Sequence, residues 1–494
     1  MFLKRIVRLL KEYRPPKFFF FFCLLLPLLL CFKVNMKLDN DSWFLIRSGR
    51  YVLEQGIPYI EPFTMHQNFD FVMQQWLGST IFALIYNHFG ALGVAVFVTL
   101  LEALFLFLFY RLCKLVSNQN SSLSMNLTFV IGILMSNGFF VARPQIFSFV
   151  IYVLLFYCLE SYIRKKKIRY LFALPVLSFL EINLHGSIWW MLICFMIPYL
   201  IDSFSFSLFG FHTEGYRKKP LFLAFFSMIF VAFLNPYGTS MLTYLFIAYT
   251  CPYLHNMIVE MNPPTVKTVS GILTYATILI VLLLYFQNKK KPIKMRYFLL
   301  LIGTVLLALT ARRSFSFFLI ASLFPLADYF KEKGKIKFAS FPKKGKIISI
   351  ATLSVVFLFS FFVVSRQLEK THSLDGAVNY LNQNTQKDDI VLYTHFDDGS
   401  YLEFQGYHPY IDPRAEVFLK EMNHQYDVLG EFYRLQYIDQ EEEIKDFLNH
   451  YSFTHILVQE KDVLWDYLEK DSSYQLVYQD EKYKIYTPKE DLLL

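Results

Sequence analysis

Residues 17–34 read KFFFFFCLLLPLLLCFKV, and this stretch decides the fold that the sequence predicts. Its side chains are apolar almost without interruption, and a helix needs roughly 17–25 mostly apolar residues to cross a membrane. A secretory signal peptide has a shorter apolar region, followed by small residues at a cleavage site. The sequence after residue 34 has no such site, so we expect a retained membrane-spanning helix.

Comparable apolar runs recur along the chain. They lie near residues 91–112, 126–142, 145–163, 168–184, 187–205, 220–235, 271–287, 296–311, 314–330 and 347–365. With the first run they predict a polytopic α-helical membrane protein of about eleven transmembrane helices. Hydrophobic residues make up 55% of the chain and charged residues 18%. This composition excludes a disordered chain, a disulfide-stapled secreted domain and an ordinary cytosolic enzyme.

The basic clusters indicate the topology. Lys and Arg are frequent before residue 17 and in the predicted loops 164–169, 206–219, 288–296 and 331–346. Because loops rich in Lys and Arg stay in the cytoplasm, the N-terminus is predicted to be cytoplasmic. The first long loop, 35–90, and everything after residue 366 are then extracytoplasmic. We ascribe the basic clusters to this topology and expect no binding to nucleic acid.

The composition changes to that of a soluble domain after about residue 367. Segments typical of strands alternate there with segments typical of helices. The predicted strands include DIVLYT (389–394), HPYIDP (408–413) and THILVQ (454–459), and the predicted helices include VLWDYLEK (463–470). We therefore expect two domains: a transmembrane core, 1–366, with its first outer loop at 35–90, and a small extracytoplasmic α/β domain, 367–494.

The first outer loop contains two closely spaced acids. Asp39 and Asp41 stand just outside the first span, where one carboxylate can act as a general base and the other as its charge partner. They can equally be solvated loop acids, or cap a helix over SWFLIRSGRYVLEQG. Farther along, Trp43 and Trp76 fit either an interfacial aromatic belt or platforms for stacking on sugars. Gln75, just before Trp76, either binds substrate or caps the next helix.

Further polar residues lie at the predicted outer ends of apolar runs. Arg143, Arg312 and Arg313 oppose the usual charge bias on that face and would suit a lipid phosphate, although arginines at a boundary often snorkel. Asn183 and His185 are either functional residues or a satisfied helix terminus. The six cysteines form no CxxC pair and no Cys/His metal spacing. We therefore expect no disulfide, no metal site and no cofactor.

The order of these motifs is familiar. DNDSWFLIRSGRYVLEQGIPYIEPFTM is followed by QQWL, ARPQIFSF, NLHGSIWW, NPYG, a late RRS and finally GSYLEFQGYHPYIDPRAE. Over nearly its whole length the chain resembles the bacterial membrane glycosyltransferases of the GT-C superfamily. It is most similar to a branch with an Asp-containing first loop, a Trp-Leu motif and an Asn-Leu-His-Gly motif.

The resemblance implies a transferase of the hexosyltransferase class. It would move a sugar from a polyprenyl-phosphate carrier to a cell-envelope glycan or polymer on the outer face of the membrane. Asp41 matches the catalytic base of such enzymes, Asp39 matches an accompanying acid, and Asn183 and His185 fall on the Asn-Leu-His-Gly motif. The chain departs from the pattern at Gln75, where Glu is usual, and near Leu45, where His is usual.

The chemistry is consistent with one base and several cations. An acceptor hydroxyl attacks the anomeric carbon and a carboxylate takes its proton. The leaving phosphate needs cationic stabilisation more than it needs an acid, and direct attack inverts the anomeric carbon. Three alternatives stay open: a polysaccharide polymerase or ligase, a lipid or solute transporter such as a flippase, and a non-catalytic envelope-assembly protein.

Overall fold

The computed structural model describes residues 17–136, 138–208, 211–248, 251, 254–286, 293–331, 372–437 and 440–489. The predicted span at 347–365 lies outside the described residues. The chain forms two compact units. The helical unit comprises Met1–Lys37, Phe89–Asn235 and Ile258–Gln367, and the mixed unit comprises Leu38–His88, Pro236–Met257 and Leu368–Leu494. The division into a transmembrane core, 1–366, and an extracytoplasmic domain, 367–494, stays a prediction.

Apolar helices dominate the described part of the chain up to Tyr329. They are Lys17–Asn35, Trp76–Val116, Ser121–Met135, Gln145–Lys165, Ala173–Leu184, Trp190–Asp202, Lys218–Val231, Val269–Phe286, Met295–Thr310 and Phe315–Tyr329. A short hairpin of two-residue strands, β1 (Ser207–Leu208) and β2 (Phe211–His212), lies between the helices Trp190–Asp202 and Lys218–Val231. The helix Trp76–Val116 is interrupted at Gly90, whose φ of 61° is one that glycine adopts at little cost.

Several of these helices fit a membrane by length and composition. Among the described residues, Trp76–Val116, Gln145–Lys165 and Val269–Phe286 are both long and apolar enough to cross one. Shorter apolar helices include Leu24–Asn35, Ser121–Met135 and Met295–Thr310. The architecture is thus helical and apolar, as expected, and the total number of spans stays a prediction.

A buried ion-pair network joins the ends of four helices in the helical unit. Arg296 is fully buried and donates from Nε to Glu160 Oε1 at 2.9 Å and from Nη1 to Asp202 Oδ2 at 2.7 Å. Glu160 also pairs with Arg164, whose Nη2 lies 2.7 Å from Asp328 Oδ1. Because each buried charge has an opposite charge in contact, the network offsets the cost of removing these groups from water.

The mixed unit contains the four-stranded sheet. Its strands are β3 (Leu392–Tyr393), β4 (His455–Gln459), β5 (Tyr474–Gln479) and β6 (Tyr483–Pro488), in the order β3-β4-β6-β5. The β3–β4 pair is parallel and the other two pairs are antiparallel. The main helices of this unit are Asn40–Gln55, Thr239–Ala248, Asp375–Asn384, Gly399–Phe404, Val428–Leu435, Glu441–Tyr451 and Val463–Lys470.

The strand predicted over HPYIDP is wrong. Pro409 forms only an isolated bridge with Leu392, supported by a hydrogen bond from the Tyr410 amide to the Leu392 carbonyl at 2.9 Å. Pro409 and Pro413 have no amide hydrogen, so this segment cannot extend a ladder of hydrogen bonds. The strands predicted at 389–394 and 454–459 and the helix predicted at 463–470 are present, as β3, β4 and Val463–Lys470.

Within the mixed unit, the helix Asn40–Gln55 packs tightly on the start of Trp76–Val116. Gly49 is buried at this contact. A Cβ atom placed on Gly49 would lie 2.5 Å from the Ser79 carbonyl carbon and 2.7 Å from Ala83 Cβ, and closer still to the Ser79 carbonyl oxygen. Only glycine leaves room for this approach.

Candidate functional site

The two acids of the first outer loop lie at the start of a helix. Asp39 is the N-cap of Asn40–Gln55: its Oδ1 accepts hydrogen bonds from the Ser42 amide at 3.0 Å and the Ser42 hydroxyl at 2.6 Å. Asp41 lies in the first turn of the same helix and is half-buried. The positive end of the helix dipole favours ionised carboxylates at this position. The geometry thus agrees with the helix-cap interpretation of Asp39.

Trp43 lies one turn farther along, inside a cluster of aromatic rings. Its ring centroid is 4.6 Å from that of Phe404, 5.1 Å from Tyr401 and 5.9 Å from Tyr86. The Arg50 guanidinium covers Phe404 at 4.7 Å. Trp43 Nε1 is buried and has no hydrogen-bond partner among the described residues. The indole is therefore held mainly by packing, with one donor left for a further acceptor.

Gln75 and Trp76 lie at the start of the helix Trp76–Val116. The Gln75 carbonyl accepts the Ser79 amide at 2.8 Å, and the Trp76 carbonyl accepts the Thr80 hydroxyl at 2.8 Å. The Oε1 atom of Gln75 is buried and lacks a hydrogen-bond partner within the described part of the chain. The prediction that Gln75 and Trp76 contact substrate stays a prediction.

The remaining predicted site residues belong to the helical unit. His185 follows the helix Ala173–Leu184, and its Nδ1 lies 3.0 Å from the Ser148 hydroxyl. Asn183 donates from Nδ2 to the carbonyls of Phe179 at 2.8 Å and Leu234 at 3.2 Å. Asn183 thus joins two chain segments, which agrees with a structural role at a helix terminus.

A buried acid lies one turn before His185. The Tyr152 hydroxyl donates to Glu181 Oε1 at 3.1 Å, while Glu181 Oε2 is buried without a hydrogen-bond partner among the described residues. An ionisable group buried in an apolar helix is a functional candidate by default. The contact between Glu181 and Tyr152 is visible only in the structure.

Two of the three arginines predicted to bind phosphate contact the same segment of the helical unit. Arg143 Nη1 is 3.4 Å from Glu260 Oε1, a partly exposed pair. Arg312 donates from Nε to the Pro263 carbonyl at 3.3 Å, and its amide donates to the Asn262 carbonyl at 3.0 Å. The segment 260–263 therefore contacts both arginines.

Arg313 follows Arg312 in the short 3₁₀ turn Arg312–Ser314, directly before the helix Phe315–Tyr329.

The mixed unit contains a buried charged cluster that no pattern in the sequence indicated. Arg414 contacts Asp412, Glu403 and Glu61, and all four side chains are almost fully buried. Asp412 lies only two residues before Arg414 in the chain. Glu61 lies 353 residues before Arg414, so no local pattern could connect them.

His66 also links the first loop to the C-terminal residues. Its Nε2 donates to the Tyr410 carbonyl at 2.7 Å, and its Nδ1 accepts from the Tyr426 hydroxyl at 2.9 Å. Burial lowers the pKa of His66 to about 4, so the ring is neutral at physiological pH. Within the described residues, no group of three or more His, Cys, Asp or Glu side chains has an arrangement that could hold a metal ion.

Comparison with known proteins adds the class of fold. No protein-family model matches the chain, and no curated protein matches it in sequence. Solved structures do match. The oligosaccharyltransferase of Archaeoglobus fulgidus, tethered with an acceptor peptide, superposes with a TM-score of 0.56 at 11% identity, covering 96% of this chain and 74% of that one.

Two further structures contain lipid phosphates. AglB from Archaeoglobus fulgidus, in complex with an inhibitory peptide and a dolichol-phosphate, gives a TM-score of 0.52 at 10% identity, over 96% of this chain and 74% of that one. ArnT from Cupriavidus metallidurans, bound to undecaprenyl phosphate, gives a TM-score of 0.53 at 9% identity, covering 94% of this chain and 97% of that one. These are GT-C folds, so the resemblance inferred from the sequence is confirmed at the level of the fold. This chain thus has the fold of a class of integral membrane glycosyltransferases.

Proposed function

We propose that this chain is an inverting glycosyltransferase that moves a sugar from a polyprenyl-phosphate donor to a cell-envelope glycan or polymer. The observation that supports it most is the fold. Two solved structures that share this fold contain a polyprenyl phosphate, dolichol-phosphate in one and undecaprenyl phosphate in the other. The proposal includes the predicted topology of about eleven spans, with the N-terminus cytoplasmic and residues after 366 outside.

Asp41 is the proposed general base. The acceptor hydroxyl attacks the anomeric carbon, its proton passes to the Asp41 carboxylate, and the carbon–oxygen bond to the phosphate breaks. The position of Asp41 in the first turn of Asn40–Gln55 favours its ionised form. Asp39 fixes the start of that helix through Ser42 and so orients the base.

Arg143, Arg312 and Arg313 are proposed to bind the donor phosphate. A leaving phosphate accumulates negative charge as the bond breaks, and guanidinium groups stabilise it through paired hydrogen bonds. Glu260 pairs with Arg143 at 3.4 Å on a partly exposed surface, so an anion can compete for this arginine. Replacing each arginine in turn by alanine should weaken donor use more than it weakens folding.

The decisive experiment measures transfer from radiolabelled polyprenyl-phosphate sugars by purified protein. Asp41→Asn keeps the shape of the side chain but removes the base, so transfer should fall by about 10²–10⁴-fold. Asp466→Asn is the matched control, because Asp466 is also a first-turn acid of a helix and is exposed. Transfer by Asp41→Asn at the wild-type rate would refute the assignment.

The alternative functions give different results in the same assay. A polymerase or ligase would transfer a whole glycan instead of one sugar. A flippase would move the labelled lipid across vesicles without breaking its sugar bond, and an assembly protein would do neither.

Two further measurements test the remaining parts of the proposal. Transfer should survive treatment with a chelator, since an arginine can neutralise the leaving phosphate; loss of activity and its recovery with manganese or magnesium would reverse this expectation. A reporter that is active only in the cytoplasm should be silent when fused after Leu494. Strong activity of that fusion would overturn the topology.

A further inference from the structure

A single arginine lies at the centre of the charged cluster in the mixed unit. Arg414 donates from Nε to both carboxylate oxygens of Asp412, at 3.0 and 3.1 Å. Its Nη2 donates to Glu403 Oε1 at 2.8 Å and to Glu61 Oε1 at 2.9 Å. Glu61 in turn accepts the Phe63 amide at 2.9 Å and the Thr64 hydroxyl at 2.7 Å. Arg414 therefore joins the first loop to two C-terminal segments.

Three acids surround the single arginine of this cluster, and burial acts on them differently. Burial raises the pKa of Glu403 well above its ordinary value, despite the nearby Arg414 charge. Burial would also raise the pKa of Asp412, but the Arg414 charge and hydrogen bonds outweigh it and lower that pKa. Protonation of Glu403 reduces the excess of negative charge around the one buried cation, and Arg414 keeps its close pair with Asp412.

One side of the helix Asn40–Gln55 reaches this cluster through Phe63. The Arg414 guanidinium lies over the Phe63 ring at 5.0 Å. The Tyr51 ring packs edge-on against Phe63 with 5.5 Å between centroids, and the Arg47 guanidinium lies 5.3 Å from the same ring. Tyr51 and Arg47 both belong to Asn40–Gln55, so Phe63 packs between Arg414 and that helix.

A second connection reaches the same helix through Glu403. Glu403 belongs to the short helix Gly399–Phe404, and its Oε1 accepts a hydrogen bond from Arg414 Nη2 at 2.8 Å. The neighbouring Tyr401 and Phe404 pack on Trp43 of Asn40–Gln55, with centroid distances of 5.1 and 4.6 Å. The helix that begins at Asp39 is thus supported from two directions, and both supports end at Arg414.

We infer that Arg414 is a positioning residue, which holds the helix Asn40–Gln55 in place and thereby fixes Asp41 for transfer. The inference rests on the proposed function for the role of Asp41, but the fixing of the helix does not depend on activity. Arg414 is not proposed to touch a reacting group. It acts through the packing of Phe63 and of the helix Gly399–Phe404. The C-terminal residues then contribute to the chemistry by placing the base.

The test combines amide hydrogen exchange with kinetics on the full-length protein. In Arg414→Met, amides of Asn40–Gln55 should exchange at least about tenfold faster, because a helix that has lost its packing opens more often. Amides of β4 and β6 should keep their wild-type rates. The matched control is Arg434→Met, since Arg434 is an exposed arginine of the same unit and its loss should change neither set of amides.

The kinetic signature separates positioning from binding. A displacement of about 1 Å at a reacting group costs about 10²-fold in rate, so kcat of Arg414→Met should fall by about 10²-fold while KM for the donor changes by less than about threefold. If the variant fails to accumulate, Glu61→Gln tests the same connection, because it leaves the Arg414–Asp412 pair intact. It should raise exchange in Asn40–Gln55, and Glu403→Gln, which preserves a neutral side chain, should raise it less.

Wild-type exchange in Asn40–Gln55 for both Arg414→Met and Glu61→Gln would overturn the inference. So would a rise in donor KM with kcat unchanged, since that result indicates lost binding. Failure of the proposed function looks different: Asp41→Asn would transfer at the wild-type rate while Arg414→Met still loosened the helix.

Discussion

Replacing Gly49 by alanine is expected to separate two tightly packed helices of the mixed unit. The added Cβ would lie 2.5 Å from the Ser79 carbonyl carbon and 2.7 Å from Ala83 Cβ. Carbon atoms pack best at about 3.5–4.0 Å, so the helix Asn40–Gln55 must move by about 1 Å. The obstacle on one side is backbone, which cannot rotate away as a flexible side chain can.

The expected cost follows from two opposing effects. Overpacking a tight contact costs about 1–3 kcal/mol, and contact with backbone points to the upper end of this range. Alanine recovers about 1 kcal/mol because it forms helix more readily than glycine. The net loss is about 2 kcal/mol, which lowers the apparent Tm of the purified protein in detergent by about 4–8 °C.

Transfer activity provides a second measurement of the same change. Since Asp41 lies on the displaced helix, kcat should fall by about 10²-fold. Gly303→Ala is the control: this glycine is also within a helix, but its Cβ would meet no heavy atom within 4 Å. That variant should be as stable as wild type or slightly more stable. An unchanged Tm for Gly49→Ala would refute the reasoning, because it would mean that the two helices have free space between them.

Three other variants test separate features. Asp39→Ala removes an N-cap and should cost about 1 kcal/mol, while Asp39→Ser should restore most of it, as measured by thermal unfolding. Burial raises the pKa of Asp398 to about 7. Its neutral form therefore stabilises the mixed unit fully at low pH, and this contribution is lost as pH rises through about 7; Asp398→Asn should flatten the fall in Tm between pH 4 and 8. Arg296→Met leaves Asp202 buried without its cation and Glu160 with Arg164 alone, and it should cost about 3–5 kcal/mol, seen as a lower Tm or lost accumulation.

The sequence predicted the long helices of the helical unit because their apolar residues follow one another with few interruptions. Helix bounds were less accurate where polar residues lie inside a helix. The run near 126–142 corresponds to Ser121–Met135, which begins after its N-cap Asn120. Ser122, Ser124 and Thr128 of that helix are buried. Hydropathy follows apolar side chains, whereas a helix begins where a capping residue satisfies its first amides.

The contacts that organise the mixed unit could not be predicted. Glu61 and Arg414 are 353 residues apart, and His66 and Tyr410 are 344 apart. Neither hydrophobic periodicity nor local propensity carries information over such separations. The sequence therefore indicated the type of most long elements and drew attention to the acids of the first loop, but it did not connect that loop with the C-terminal residues that hold it.

The separation of Glu61 from Arg414 also has a consequence for biosynthesis. A ribosome adds about 5–20 residues per second, so the 353 residues between them take about 20–70 s to make. During that interval the first loop has been translated but lacks the arginine that neutralises Glu61. The nascent loop must remain unassembled and protected from proteases until nearly the whole chain exists. Translational pauses or early termination before residue 414 should therefore send the product to degradation.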